Sequence, residues 1–171
     1  IINDWNNGGA SDLIEDGTTP IVETFTALNE RGTVEVDGEQ HVSVKAGETI
    51  QITGTDLDAA ASVRMSGVYA LKDFTRNSEN TTLEFVMPAT AKDGEAYLVT
   101  SKGLEVLAGK FVLVKPVYAS CNYTEGETVA FEPEISFTGT DCDLITGATF
   151  AGGTTIAVGD DGCSYVESEG K

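Results

Sequence analysis

The chain has 171 residues, 40% of them hydrophobic, with 19 glycines and four prolines. This composition is typical of a folded, turn-rich protein and excludes a disordered or collagen-like one. The formal net charge is −18, from 28 acidic and 10 basic residues. Nucleic acids and anionic membranes are therefore improbable partners, because both are bound mainly through lysine and arginine. No apolar run has the length of a transmembrane helix.

Residues 1–18 are rich in Asn, Gly and Asp and lack periodicity, which predicts an N-terminal linker or tail. Beyond them, short apolar runs of period two predict successive β-strands. In chain order these runs hold Val34 and Val36, Val42 and Val44, Ile50 and Ile52, Leu83 to Met87, Phe111 to Val114, Val129 and Phe131, Ile135 and Phe137, and Ile156 and Val158. Turn signals separate them at Asp37-Gly38, Ala46-Gly47, Asp93-Gly94 and Lys102-Gly103. The pattern predicts an all-β sandwich.

One segment does not read as a strand. Asp58 to Met65 carries three consecutive alanines but no apolar stripe of helical period. We expect a loop or a single turn there.

An internal repeat divides the chain. Residues 52–58 read Ile-Thr-Gly-Thr-Asp-Leu-Asp, and residues 137–143, 85 positions later, read Phe-Thr-Gly-Thr-Asp-Cys-Asp. At the same offset Ile50 matches Ile135, Met65 matches Phe150 and Gly67 matches Gly152, while Pro20 and Gly47 match Pro116 and Gly126 at other offsets. Two copies of one module with different loop lengths are therefore predicted, at residues 19–115 and 116–171.

The repeated phrase has a physical interpretation as a corner of a sandwich. Glycine accepts a positive φ, so we expect the turn at Gly54 and at Gly139. The Asp and Thr side chains of the phrase are expected to satisfy nearby backbone amides.

These residues carry a resemblance. The first copy resembles the immunoglobulin-like IPT/TIG module of the E-set type. The resemblance rests on a Pro-containing start, on Gly-Glu-Thr-Ile-Gln-Ile-Thr-Gly-Thr-Asp-Leu at 47–57, on Phe-Val-Met-Pro at 85–88 and on a closing strand before Lys115-Pro116. The second copy is similar, from Phe137 through Gly153. The resemblance covers roughly residues 19–167.

The acidic surface and the turn at residues 54–58 are similar to modules of Gram-negative cell-surface lipoproteins from polysaccharide-utilisation systems. In that family, tandem immunoglobulin-like modules often carry a terminal glycan-binding domain away from the membrane. The resemblance implies a secreted bacterial protein at the cell surface or outer membrane, with polysaccharide or other surface proteins as partners. The resemblance is compatible with a lipid anchor upstream of this chain and implies that the chain itself does not insert into the membrane.

The second module stops early. Counterparts of Leu83 to Val114 would fall near 168–199, after Lys171. We expect either a fragment of a longer protein or completion of the module by a neighbouring chain or domain, because missing strands leave open edges. A short module held together by a Cys142–Cys163 pair is the alternative.

Three cysteines, at positions 121, 142 and 163, all lie in the second module and cannot all pair within one chain. They lack the close Cys-x-x-Cys spacing of zinc sites, and the single histidine, His41, lies in the other module. We interpret them as small buried apolar residues.

No catalytic or cofactor motif stands out. The pairs Asp56 with Asp58 and Asp141 with Asp143 offer oxygen ligands for Ca²⁺, but the remaining ligands of an EF-hand are missing, which favours solvated corners. Asp160-Asp161-Gly162 is interpreted as a hairpin turn. Because the chain has one histidine and neither a Gly-x-Ser-x-Gly elbow nor a phosphate loop, we predict no enzyme activity and no cofactor.

Sugar binding needs an exposed aromatic ring beside polar groups. We predict glycan contacts at Trp5 in the tail and at Tyr69 and Phe74 in the loop after Gly67. Tyr97, Phe85 and Phe111 lie in strand-like runs and are expected in the core instead.

Three hypotheses follow. The first is a non-catalytic surface module that supports polysaccharide binding as a spacer or presenting domain. The second is a structural or adhesive protein of the stalk or fimbrial type, whose open second module takes a strand from another chain. The third is an accessory domain of a larger carbohydrate-active enzyme.

Overall fold

A computed structural model describes residues 18–124, 134–160 and 162–166. This part of the chain is nearly all β, with two short 3-10 turns, which confirms the predicted fold class. The chain divides into two compact units, Ile1–Leu113 and Val114–Lys171. Residues 1–17 of the predicted tail at 1–18 and the predicted strand at Val129 and Phe131 lie outside the described residues. The IPT/TIG type of the modules stays a prediction.

Unit 1 contains two sheets. Its strands are β1 (Ile21–Ala27), β2 (Thr33–Val36), β3 (Glu39–Val44), β4 (Thr49–Thr55), β5 (Ala60–Met65), β6 (Val68–Leu71), β7 (Thr75–Arg76), β8 (Thr82–Val86), β9 (Gly94–Thr100) and β10 (Glu105–Leu113). One sheet has four strands in the order β1-β4-β8-β7, and the other has six in the order β2-β3-β10-β9-β5-β6. Pairing is antiparallel except between β3 and β10, which run parallel.

The core of unit 1 lies between these sheets. Ile50, Ile52 and Leu83 come from the four-stranded sheet, and Leu98 and Phe111 come from the six-stranded one; all five are fully buried. Alternation explains this arrangement, because every second residue of a half-buried strand points to the same face. The prediction that Phe85 and Phe111 belong to the core is confirmed.

Strand β1 also reaches the six-stranded sheet. The ring of Phe25 lies directly over Gly109 of β10, where a Cβ atom would collide with the ring. A β-bulge at Ala108 interrupts the pairing of β10 with β9 immediately before this glycine.

The expectation of a loop or a single turn from Asp58 to Met65 is corrected. A single 3-10 turn covers only Leu57–Ala59, and Ala60–Met65 forms strand β5 rather than a loop. The alanines are compatible with a strand here because β5 lies between β9 and β6, with Ala60, Val63 and Met65 buried.

The described part of unit 2 contains four short strands. They are β11 (Val117–Cys121), β12 (Phe137–Thr140), β13 (Gly147–Thr149) and β14 (Thr155–Ala157). β11 pairs antiparallel with β12, and β13 pairs antiparallel with β14. Among the residues that the structure describes, no hydrophobic side chain of unit 2 is fully buried.

The repeated phrase adopts one conformation in both units. Asp56 has φ 55° and ψ 33°, and Asp141 has φ 55° and ψ 31°; each precedes a three-residue 3-10 turn that leads into an extended residue. A hydroxyl pair also recurs, with Thr24 and Thr53 2.6 Å apart and Ser120 and Thr138 2.6 Å apart. The duplication is therefore one of backbone geometry as well as sequence.

The glycine of the phrase has a different role from the predicted one. The positive φ belongs to the aspartate, whereas a Cβ on Gly54 would collide with the carbonyl oxygen of Ile21 and one on Gly139 with that of Val117. Glycine is needed for close strand approach. Neither the Asp56 nor the Asp141 side chain makes a capping hydrogen bond to its 3-10 turn, so the expectation is wrong for this contact.

Candidate functional site

Tyr69 is the most exposed large hydrophobic residue of the described part of the chain, with 90% of its surface in solvent. It lies in strand β6 and not in a loop, which corrects the predicted setting. Its neighbours Val68 and Leu71 pack against the core, with an irregular register toward β5 between them. The ring is therefore presented outward from an edge strand of the larger sheet.

Phe74 follows β6 and has a mixed environment. Its ring packs against the core, and the guanidinium of Arg76 lies 4.8 Å from the ring centre. Together with Asp73, Thr75 and Glu84, it lines a depression of about 230 Å³. This volume is below the roughly 300–1,000 Å³ of pockets that enclose small ligands, so only a partial contact fits there.

Trp5 lies outside the described residues. The structure therefore brings Tyr69 and Phe74 onto unit 1, near the β6–β7 connection, and leaves the third nominated residue undetermined. Glycan contact by each of the three stays a prediction.

The prediction that Tyr97 belongs to the core is wrong. In β9, Ala96 and Leu98 are buried, whereas Tyr97 lies on the opposite face and is only half-buried. The guanidinium of Arg64 lies 4.6 Å from the centre of its ring. The sequence signal was ambiguous because residues 96–99 are all apolar or aromatic, so alternation did not mark a face.

Tyr97 belongs to a connected set of side chains on this outer face. Lys110 pairs with Glu39 and lies 3.5 Å from Glu95, whose carboxylate accepts a hydrogen bond from the Tyr97 hydroxyl. Arg64 donates from two nitrogens to the two carboxylate oxygens of Glu105, at 2.6 and 2.7 Å. We call this set the outer charged row; it consists of Glu39, Lys110, Glu95, Tyr97, Arg64 and Glu105.

The row shifts the acidity of its members. The hydrogen bond from Arg64 lowers the pKa of Glu105, and the one from Tyr97 lowers the pKa of Glu95. The same hydrogen bonds raise the pKa of Arg64 and of Tyr97. Each of these groups is at least partly exposed to solvent, so the row offers hydroxyl and carboxylate oxygens to a polar ligand.

The acidic corners show no assembled cation site. Asp56 and Asp141 occupy the left-handed position that begins each 3-10 turn, a conformation that Asp tolerates better than most residues. No group of three or more His, Cys, Asp or Glu side chains within the described residues is arranged to hold a metal ion. The hairpin expected at 160–162 is described only in part, because Asp161 lies outside the described residues.

The cysteines differ from the prediction. Each of Cys121, Cys142 and Cys163 is partly exposed, and none of these three described residues is disulfide-bonded in the structure. The prediction that they are buried apolar residues is wrong, because the described residues of unit 2 form no buried core around them.

Comparison with known proteins gave one structural similarity. The chain resembles the crystal structure of the surface glycan-binding protein PbSGBP-B from Prevotella bryantii, with a TM-score of 0.41 and 18% sequence identity. The similarity covers 72% of this chain and 28% of that protein, so the chain spans little more than a quarter of its length. No protein-family model and no curated protein matches the chain. Among the described residues, no helix has the length and apolar character needed to cross a membrane.

Proposed function

We propose that the chain is a non-catalytic cell-surface module that supports polysaccharide binding, mainly as a spacer or presenting domain. The observation that carries this proposal is the duplicated corner. Its repeated elements are the close approach at Gly54 and Gly139 and the left-handed Asp56 and Asp141, which are features of the backbone framework. Both units repeat this framework, as expected of a spacer built from copies of one module, whereas the outer charged row and Tyr69 lie in unit 1 alone.

Tyr69 supports a direct contribution to glycan contact. The apolar face of a pyranose ring packs against an aromatic ring, and a tyrosine adds a hydroxyl at low conformational cost. The edge position of β6 leaves this ring accessible to a long polymer that could not enter an enclosed pocket.

Affinity gel electrophoresis with a panel of soluble polysaccharides tests the contact. We expect one glycan class to retard the chain, and Tyr69→Ala to reduce the retardation. Tyr118→Ala is the matched control, since Tyr118 is also an exposed tyrosine, at 66%, but lies in unit 2. Trp5→Ala and Phe74→Ala complete the set. Equal retardation of the Tyr69 and Tyr118 variants would exclude Tyr69 as a contact.

The spacer role is tested separately. The chain is placed between a lipid anchor and a glycan-binding domain of known ligand on Gram-negative cells, and capture of that polysaccharide is measured. We expect more capture than with a short Gly-Ser linker in the same position. Equal capture would contradict the spacer role.

A structural or adhesive role is the second candidate. The observation that favours it is the set of exposed apolar side chains in unit 2, which includes Val117, Ile135, Phe137 and Phe150. The role of accessory domain in a carbohydrate-active enzyme stays a prediction, as do the outer membrane location and the upstream lipid anchor.

A further inference from the structure

Neighbouring strands of the larger sheet place side chains in one line on its outer face. Tyr97 of β9 lies opposite Leu107 of β10 and opposite Arg64 of β5. Residues directly opposite each other on antiparallel strands point to the same face of the sheet. Leu98 and Val63, the adjacent residues of β9 and β5, pair with each other and are fully buried on the inner face. The line of Leu107, Tyr97 and Arg64 therefore lies on the outer face.

The register of β6 brings Tyr69 to the end of this line. Between their paired positions, β5 has one residue, Arg64, where β6 has two, Tyr69 and Ala70. This is the pattern of a β-bulge, which changes the direction of a side chain. Val68 packs against the core, and the adjacent Tyr69 points outward with 90% of its surface exposed. We call the set the cross-strand line; its members, one from each of β10, β9, β5 and β6, are Leu107, Tyr97, Arg64 and Tyr69.

The cross-strand line combines flat surfaces with hydrogen-bond donors. The guanidinium of Arg64 lies 4.6 Å from the centre of the Tyr97 ring and continues that ring toward solvent. A guanidinium is planar and has five N–H donors, and the described contacts of Arg64 use two of them, both with Glu105. A sugar has matching groups, because its ring has an apolar face and a rim of hydroxyls. The Tyr69 ring offers a second flat surface of this kind.

The direction of the line favours a straight ligand. Neighbouring strands lie about 4.8 Å apart, so Tyr69 in β6 and Tyr97 in β9 are separated by two such spacings, or roughly 10 Å. Leu107 in β10 lies one spacing further on. A polysaccharide with the equatorial β-linkage of cellulose is nearly straight and reaches the whole line. A chain with the α-linkage of starch curves away and meets only part of it.

Charge narrows the class of ligand further. The outer charged row, which shares Arg64 and Tyr97 with the line, has three carboxylates against two cations. The whole chain carries a net charge of −18. A polysaccharide of uronic acids would therefore be repelled at this face, whereas an uncharged one would not.

We propose that the cross-strand line binds one straight, uncharged polysaccharide chain with the equatorial β-linkage of cellulose, xylan or mannan. The chain lies across β6, β5, β9 and β10, with sugar rings stacked on Tyr69 and on the Arg64 guanidinium and with Leu107 at its far end. This inference rests on the glycan contact proposed for Tyr69. It adds the class of glycan and the contact residues beyond that tyrosine.

The class of glycan is tested with the unchanged chain in affinity gels. We expect retardation by at least one of hydroxyethylcellulose, glucomannan and arabinoxylan, and none by soluble starch or by polygalacturonate. Retardation by starch or polygalacturonate as strong as that by the three β-linked polymers would overturn the proposal.

The length of the contact is tested by calorimetry with oligosaccharides of the backbone that binds. We expect the tetrasaccharide to bind about tenfold more tightly than the disaccharide, which corresponds to about 1.4 kcal/mol. The reason is that the disaccharide cannot reach from Tyr69 to Leu107. Equal affinity of the two oligosaccharides would overturn the proposal.

Protein variants locate the contact. Leu107→Ala should weaken binding of the tetrasaccharide about fivefold, as expected for the loss of part of an apolar contact. Leu104→Ala is the matched control, since Leu104 is 49% exposed against 46% for Leu107 but precedes β10 and lies outside the line. Arg64→Lys keeps the charge, removes the planar guanidinium and should also weaken binding. Equal affinities of the Leu107 and Leu104 variants would overturn the proposal.

Failure of this inference is distinguishable from failure of the proposed glycan contact. Retardation that is lost in Tyr69→Ala but unchanged in Arg64→Lys and Leu107→Ala would retain the contact at Tyr69 and overturn the cross-strand line. Absence of retardation by every polysaccharide would overturn both, and the spacer role would then depend on its own test.

Discussion

At the scale of single residues, the corner depends on two positions with little freedom. Gly54 lies where any side chain meets the carbonyl oxygen of Ile21, and Asp56 holds a left-handed backbone. The same pair of constraints recurs at Gly139 and Asp141. Each position is constrained by a different physical effect, so substitutions should separate them.

Gly54→Ala should destabilise unit 1 by about 1–3 kcal/mol, the usual cost of forcing an extra methyl group into a packed site. The obstructing atom belongs to the backbone, so β1 must shift away from β4. Urea unfolding measures the effect, with Thr55→Ala at the exposed end of the same strand as control. Equal stability of the two variants would contradict the close approach.

Asp56→Gly should preserve stability, whereas Asp56→Val should lower it by about 1–2 kcal/mol, because a β-branched residue is strained in the left-handed region. Thermal unfolding of the two variants at one pH gives the comparison. A stability loss in the glycine variant would show that the Asp side chain, and not the backbone angle, is what the corner needs.

At the scale of elements, the outer charged row connects four neighbouring strands of the larger sheet, β3, β10, β9 and β5. Its members are far apart in sequence: Arg64 and Glu105 are separated by 41 positions, and Glu39 and Lys110 by 71. Exposed pairs of this kind contribute little stability individually. Their effect is better measured through proton binding.

Tyr97→Phe should raise the pKa of Glu95, because the Tyr97 hydrogen bond is the main cause of its lowered value. The pKa of Glu105 should stay lowered, since Arg64 sets it, and serves as the internal control. Carboxyl chemical shifts in an NMR titration report both groups. An unchanged Glu95 titration would contradict the hydrogen bond.

The Tyr97→Phe substitution should also change how the free energy of unfolding depends on pH, and the direction of that change is defined. A lowered carboxyl pKa contributes stability above the unfolded-state pKa and loses it as the pH falls through the folded-state pKa. Wild type and Tyr97→Phe should therefore differ near neutral pH and converge in acid. A stability difference between wild type and Tyr97→Phe that grows as the pH falls would contradict this prediction.

Sequence alone predicted several of the strands but neither strand β5 nor the outer charged row. Alternation marks Val42 and Val44 or Ile50 and Ile52 as one-sided, because polar residues separate them. Partners across strands depend on register, and the bulges at Ala108 and within β5 change that register by one residue. No local sequence pattern indicates such a shift, which is why the cross-strand partners of Tyr97 could not be predicted.

At the scale of the whole molecule, the two units bury their repeated positions differently. The repeat allowed the sequence to predict that the second copy shares the corner of the first, and Asp56 and Asp141 have the same backbone conformation. The repeat did not predict the partial exposure of the cysteines, because that exposure depends on how little the described residues of unit 2 bury and not on any property of the cysteines themselves.

Alanine substitutions at equivalent positions should reveal this difference. Ile52→Ala should cost about 2–5 kcal/mol, as for a fully buried aliphatic side chain. Phe137→Ala should cost less than about 1 kcal/mol, as expected for an exposed residue. Chemical denaturation followed by NMR signals from each unit separates the two effects. Similar costs would mean that Phe137 is already covered in solution.

The exposed apolar side chains of unit 2, among them Phe137 and Val166, also bear on whether copies of this protein associate at high concentration. The sequence from Val114 to Lys171 carries a surplus of eight negative charges. Two copies of this unit therefore repel each other at long range, although their exposed apolar side chains would otherwise associate. Salt screens that repulsion over about 10 Å at 0.1 M ionic strength. Colloidal stability of this chain should thus be greatest in dilute buffer and decline as salt is added, opposite to the behaviour of proteins that salt keeps dissolved.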